Sequence, residues 1–150
     1  MTKAKRNELP KEIGQKQMMM FQFCLELLSK VSDVNDQCII LHCLTEWVNF
    51  RLLSAKVWYQ PSGQSLLATC FTQLPNSTPP VKDHMGRFLT AVVSNLVMAD
   101  ASKDFVVFIS NGVLSLMKHA PNDAFDVVLA FCNSYLLYIF LNENFLYFTM

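Results

Sequence analysis

Two apolar, helix-like runs that each end in an asparagine constrain this chain more than any other feature. They are Phe88-Leu-Thr-Ala-Val-Val-Ser-Asn-Leu and Phe125-Asp-Val-Val-Leu-Ala-Phe-Cys-Asn-Ser. Between them lies Phe105-Val-Val-Phe-Ile-Ser-Asn-Gly-Val-Leu-Ser-Leu-Met-Lys-His-Ala-Pro-Asn. Each run has apolar residues on more than one side, which only a neighbouring helix can cover, so the layout predicts helices stacked layer by layer.

The punctuation agrees. Pro10 marks the expected start of a first helix, whose buried stripe is Met20, Phe21, Cys24, Leu27, Leu28 and Val31, with Met18 to Met20 read as core filler. Ser32 or Asp33 caps a second helix with Val34, Cys38, Leu41, Val48 and Leu52 on one side and Ile40, Leu44 and Trp47 widening the stripe. The pattern weakens from Ser54 to Tyr59 and breaks at Pro61-Ser-Gly, after which Leu66, Leu67, Cys70, Phe71 and Leu74 form a short helix. Pro75-Asn-Ser-Thr-Pro-Pro is a loop, and its Asn76 sequon reads as a turn. Thr78 with Pro79 opens the next helix through Val81, Met85, Phe88, Leu89, Val92 and Leu96. Asp100 to Asp104 is a polar connector with Ser102 as cap. Asn111-Gly112 between apolar runs also fits a hairpin turn, but Val113, Leu114, Leu116 and Met117 continue in helical order, so a helix-turn-helix is expected there. Pro121-Asn-Asp opens the last helix.

An internal period supports stacking. Aligning the runs around residues 44–50, 90–96 and 128–134 places Asn49, Asn95 and Asn133 at equivalent points, with spacings of 46 and 38 residues. Armadillo and HEAT units repeat every 40–47 residues or so, because two or three helices with their turns fill one layer. Residues 88 to 134 resemble an armadillo repeat in layout as well. A helix ending at Asn95, a polar connector at 100–104, a short helix to Gly112, a second helix from Val113 to His119 and a turn at Pro121-Asn122 follow that family's order.

The period and the Pro, Ser and Asp helix starts predict an all-α, right-handed stack of five to seven helices, and the lack of periodicity at 1–10 a flexible basic N-terminus; the resemblance implies that 11–150 is one repeat domain of an α-solenoid, whole or a fragment of a longer one. It also implies a non-catalytic scaffold for a protein or peptide partner. In the family a groove is lined by asparagines whose amides pair with an extended backbone. Carried over, Asn49, Asn95 and Asn133 are the candidates, with Trp47 beside them. The family's tryptophan, four residues before each asparagine, is absent: those positions are Thr45, Ala91 and Leu129. Asparagines that merely cap or brace adjacent helices remain the alternative.

Composition narrows the rest. Apolar residues are 52% of the chain and charged ones 16%, so part of the surface must be apolar. The net charge is zero, which removes any global attraction to nucleic acid. The basic residues Lys3, Lys5, Arg6, Lys11 and Lys16 at one end read as a solvated terminus. Five cysteines, an odd number inside helical patterns with no signal peptide ahead of them, point to reduced thiols in the cytoplasm or nucleus. Cys38, His42 and Cys43 begin a metal site that His84 and His119 do not complete, so neither metal nor cofactor is expected. No glycine loop, nucleophile elbow or paired carboxylates suggest catalysis.

Val127 to Leu141 carries no charge and is followed by Phe145-Leu-Tyr-Phe. Its 15 residues fall short of the roughly 20 that span a bilayer. The alternative reading is therefore a membrane-anchored helical module using 127–150. The expectation preferred here is an apolar end layer open to self-association or a partner, with Phe131, Tyr135, Leu136, Tyr138, Ile139, Phe140 and Phe145 to Phe148 contributing.

Overall fold

Helix starts follow the capping chemistry of the sequence. In the computed structural model, which describes residues 3 to 96 and 100 to 149 and the side chains of 15 to 96 and 100 to 139, Asp33 caps α2 (Val34–Asn49). Its carboxylate accepts from the backbone N–H groups of Asn35 and Asp36 at 2.9 and 3.1 Å. Ser102 caps α6 (Lys103–His119) by accepting from the Phe105 N–H at 3.2 Å. Pro79 is the first residue of α5 (Pro79–Asn95), where a missing N–H costs nothing. The sequon at Asn76 lies in a single 3₁₀ turn, Leu74–Asn76.

Other boundaries differ from expectation. The first helix, α1 (Lys3–Lys30), begins before Pro10 instead of at it. Residues 3–9 include Ala, Lys, Arg, Glu and Leu, all good helix formers, so local propensity carries the helix ahead of the proline. Within α1, Phe21 and Cys24 are buried, but Met19 and Met20 are exposed and are not core filler. Leu52 falls outside α2, which closes in a Schellman arrangement: Leu52 N–H donates to the Trp47 carbonyl and Arg51 N–H to that of Val48. Arg51 takes the left-handed conformation, φ 57°, that glycine usually supplies there.

Residues 54–59, which show little pattern, hold α3 (Lys56–Tyr59). Pro61 opens α4 (Pro61–Gln73) instead of breaking the chain. The third member of the Pro-Ser-Gly break, Gly63, is buried where α4 crosses the end of α3; a Cβ there would lie 2.1 Å from the Val57 carbonyl oxygen.

The expected turn at Asn111-Gly112 does not form, and α6 passes straight through it. Phe105, Ile109, Val113 and Leu116 make one unbroken buried stripe across the glycine, and burying it outweighs the roughly 1 kcal/mol that glycine costs a helix. Gly112 serves packing instead, since a Cβ would meet the Phe71 ring of α4 at 2.6 Å. The last helix, α7 (Phe125–Thr149), starts four residues after Pro121 because 121–124 form a turn in which Asp123 N–H reaches the Ala120 carbonyl.

Packing is organised around α5, which has α2 on one flank and α7 on the other. Helix α1 packs on α2, α4 packs on α3 and α6, and α6 packs on α7. Val81, Met85, Phe88, Leu89, Val92 and Leu96, the stripe read from the sequence, are all buried. Trp58 of α3 sits at the centre, with its ring edge-on to Phe21 of α1 at 5.4 Å and to Phe88 of α5 at 5.7 Å. Such edge-to-face pairs add about 0.5–1.5 kcal/mol each beyond the area they bury. A four-residue helix thus joins the first and the central helix.

Candidate partner-binding surfaces

The three asparagines stand on α2, α5 and α7, the helices that pack side by side. Their amides are used differently. Asn49, the last residue of α2, and Asn133, two turns into α7, are exposed. Asn95 is half-buried, and its Nδ2 donates to the Ala91 carbonyl of its own helix at 2.8 Å. Trp47 points elsewhere: it is half-buried and lines a shallow pocket between α1 and the end of α2, with Met20, Leu52 and Leu53. Two residues apart on one helix, Trp47 and Asn49 diverge by roughly 200°.

A groove along α5 is better formed than any asparagine ladder. It encloses about 420 Å³. Pro79, Lys82, Asp83, Gly86, Arg87 and Thr90 make one wall, and Asn122, Asp123 and Asp126 make the other. The α5 residues recur at three- and four-residue steps, so they share one face, opposite the apolar stripe. Lys82 pairs with Asp123 across the groove at 3.1 Å, and Arg87 pairs with Asp83 along the helix at 3.2 Å. Asp126 lies in the first turn of α7, where the helix dipole favours a carboxylate. At Gly86 a Cβ would meet no atom within 4 Å, so the floor there is open. The groove thus presents charges of both signs, the Asn122 amide with its donor and acceptor, and an accessible helix face. The signal was present in the sequence as a polar stripe, which solvation alone also explains.

A second cavity, about 510 Å³, opens between α1, α2 and α4. Leu25, Leu28, Val31, Leu41 and Leu66 line it, with a neutral rim that includes Ser29, Gln37, Ser65 and Thr69. Two histidines that the sequence left unconnected meet: the rings of His42 on α2 and His84 on α5 are 6.1 Å apart and nearly perpendicular. Among the described residues no three His, Cys, Asp or Glu side chains converge as a metal site would require.

All five cysteines are free. Burial pushes the Cys70 thiol up to about 12. Burial also raises Cys24, with a smaller contribution from Cys43. The Tyr59 phenol is raised by burial and then by the Asp100 carboxylate, and its hydroxyl has no hydrogen-bond partner among the described residues.

Among the described residues no helix is long and apolar enough to cross a membrane. Compared with protein-family models, with curated proteins and with solved structures, the chain matches none.

Proposed function

We propose that the chain is a non-catalytic interaction scaffold, a short right-handed α-solenoid in the armadillo manner, that holds a polypeptide partner in the groove along α5. The observation that carries this reading is the side-by-side packing of α2, α5 and α7 with a charged, open-floored groove between α5 and the start of α7. In this reading Asp83, Arg87, Thr90, Asn122 and Asp126 make the first contacts, and Asn133 extends them along α7. Asn95 braces its helix, and Asn49 and Trp47 mark the far end. Five free thiols favour a reducing compartment, the cytoplasm or nucleus.

Site-specific photocrosslinking in cells tests the proposal. A photoreactive residue at Ser94, one turn beyond Thr90 on α5, is compared with one at Ser115, exposed on α6. A discrete protein adduct from position 94 and none from 115 is expected. Identical adducts from both positions, or none from 94, would overturn the groove.

A further inference from the structure

Three residues, Val31 to Asp33, join α1 to α2, and the two helices pack together, so they run antiparallel. Two contacts fix how they lie. Near the turn, the Gln37 side chain of α2 donates to the Val31 carbonyl at 3.0 Å. Farther along, Met20 of α1 and Trp47 of α2 line the same pocket. Between these points α1 retreats eleven residues while α2 advances ten, so one register holds along the hairpin. That register sets Cys24 opposite Cys43, one turn in from Met20 and Trp47, and Leu27 opposite Ile40 one turn farther. Met20, Cys24, Leu27 and Val31 follow one another at steps of four, three and four residues, the spacing of a single helix face.

Electrostatics agree with this pairing. Burial raises the Cys24 thiol, and the Cys43 thiolate raises it further, which a like charge does only from close by. Cys70, the other buried thiol, is raised by burial alone. The two facing thiols differ in access: Cys24 is 7% exposed, whereas Cys43 is open to solvent.

We propose that Cys24 and Cys43 are a redox pair, a modification site at which hydrogen peroxide closes a reversible disulfide between α1 and α2. Cys43 reacts first, because solvent reaches it. Its thiolate attacks one peroxide oxygen, the O–O bond breaks, and the departing hydroxide takes up a proton as water, leaving a sulfenic acid on Cys43. The Cys24 sulfur then attacks the Cys43 sulfur. The S–S bond forms as the S–O bond breaks, and the leaving hydroxide carries off the Cys24 proton as a second water. One peroxide is thereby reduced to two waters while two thiols are oxidised to one disulfide. Two equivalents of a small thiol such as glutathione reverse the step, so in a reducing compartment the pair rests open. Shielded and protonated, Cys24 is spared by peroxide and resolves the neighbour that has reacted. The bridge lies on α1 and α2, apart from the groove between α5 and α7.

The test is intact-mass measurement of the full chain under a peroxide titration, followed by proteolysis without reductant. The expected product is a single chain lighter by two hydrogens, with one cross-linked peptide joining Cys24 to Cys43, and dithiothreitol restores the starting mass. Cys43→Ser abolishes the loss of two hydrogens, and Cys132→Ser, at the exposed thiol of α7, leaves it intact. In Cys24→Ala the reaction stops at the Cys43 sulfenic acid, which dimedone traps. An unchanged mass, a bridge to Cys38 or Cys70, covalent dimers through Cys43, or a Cys43 sulfinic acid beside an intact Cys24 thiol overturns the proposal. None of these outcomes touches the groove, whose crosslinks are read from position 94.

Discussion

A methyl group has very different consequences at the three glycines whose surroundings are known. At Gly63 it meets the backbone of α3, the Val57 carbonyl, which cannot rotate away without moving the helix that positions Trp58. At Gly112 it meets the ring of Phe71, a side chain that can swing aside. At Gly86 it meets nothing. Gly63→Ala is therefore expected to cost about 3 kcal/mol, the upper end of overpacking. Gly112→Ala should cost about 1 kcal/mol, because gained helix propensity offsets part of the clash. Gly86→Ala should stabilise by about 0.5–1 kcal/mol. Urea midpoints of the three variants check the order, and equal midpoints for Gly63→Ala and Gly112→Ala would refute the distinction between backbone and side-chain neighbours.

At the scale of the element, two helix starts that look alike in sequence work by different means. Asp33 accepts two backbone N–H groups of α2, and beside it Gln37 donates to the Val31 carbonyl at 3.0 Å, tying the end of α1 to the start of α2. Thr78 makes no side-chain bond to α5; there Pro79 presets the first turn, and its missing N–H needs no acceptor. Asp33→Ala is expected to cost about 1 kcal/mol, and Thr78→Ala less than about 0.5 kcal/mol. Denaturant midpoints measured at constant slope decide this, and a Thr78→Ala loss as large as that of Asp33→Ala would show that the Thr78 hydroxyl caps α5 after all.

For the whole molecule, burial of titratable groups links stability to alkaline pH. The Cys70 thiol is raised from 9.0 to about 12 by burial alone, and Cys24 and Tyr59 move in the same direction. Each group holds its proton more tightly in the folded chain than in the unfolded one. Unfolding therefore releases protons above pH 9, and stability falls as pH rises from there toward 12. Below the unfolded value of 9.0 the contribution of Cys70 is fully present and flat. Unfolding free energies measured between pH 7 and 11 should show this decline, with a shallower slope in Cys70→Ala. An identical slope in that variant would mean that Cys70 ionises as readily folded as unfolded.

What the sequence determined by itself is that the chain is helical, where α2, α5 and α6 start, and the inward stripe of most helices; α3 and the unbroken span of α6 lay outside it. Asp33, Pro79 and Ser102 start helices where they were read, and Val81, Met85, Phe88, Leu89, Val92 and Leu96 all face inward. Caps and the 3.6-residue period depend on neighbours in the chain, so they are legible without a partner. Only the tertiary structure decided what each helix meets. It made Gly112 a contact with Phe71 instead of a turn, and brought the patternless Trp58 between Phe21 and Phe88. It left Met19 and Met20 outside and turned the Asn95 amide onto its own helix. The candidate groove was half legible: the α5 stripe from Pro79 to Thr90 is visible in the sequence, but its opposite wall comes from Asn122, Asp123 and Asp126. Those residues are distant in the chain, and only the burial of α5 against α7 sets them facing Lys82. Such long-range packing depends on shape and area between separate helices, which no local pattern encodes.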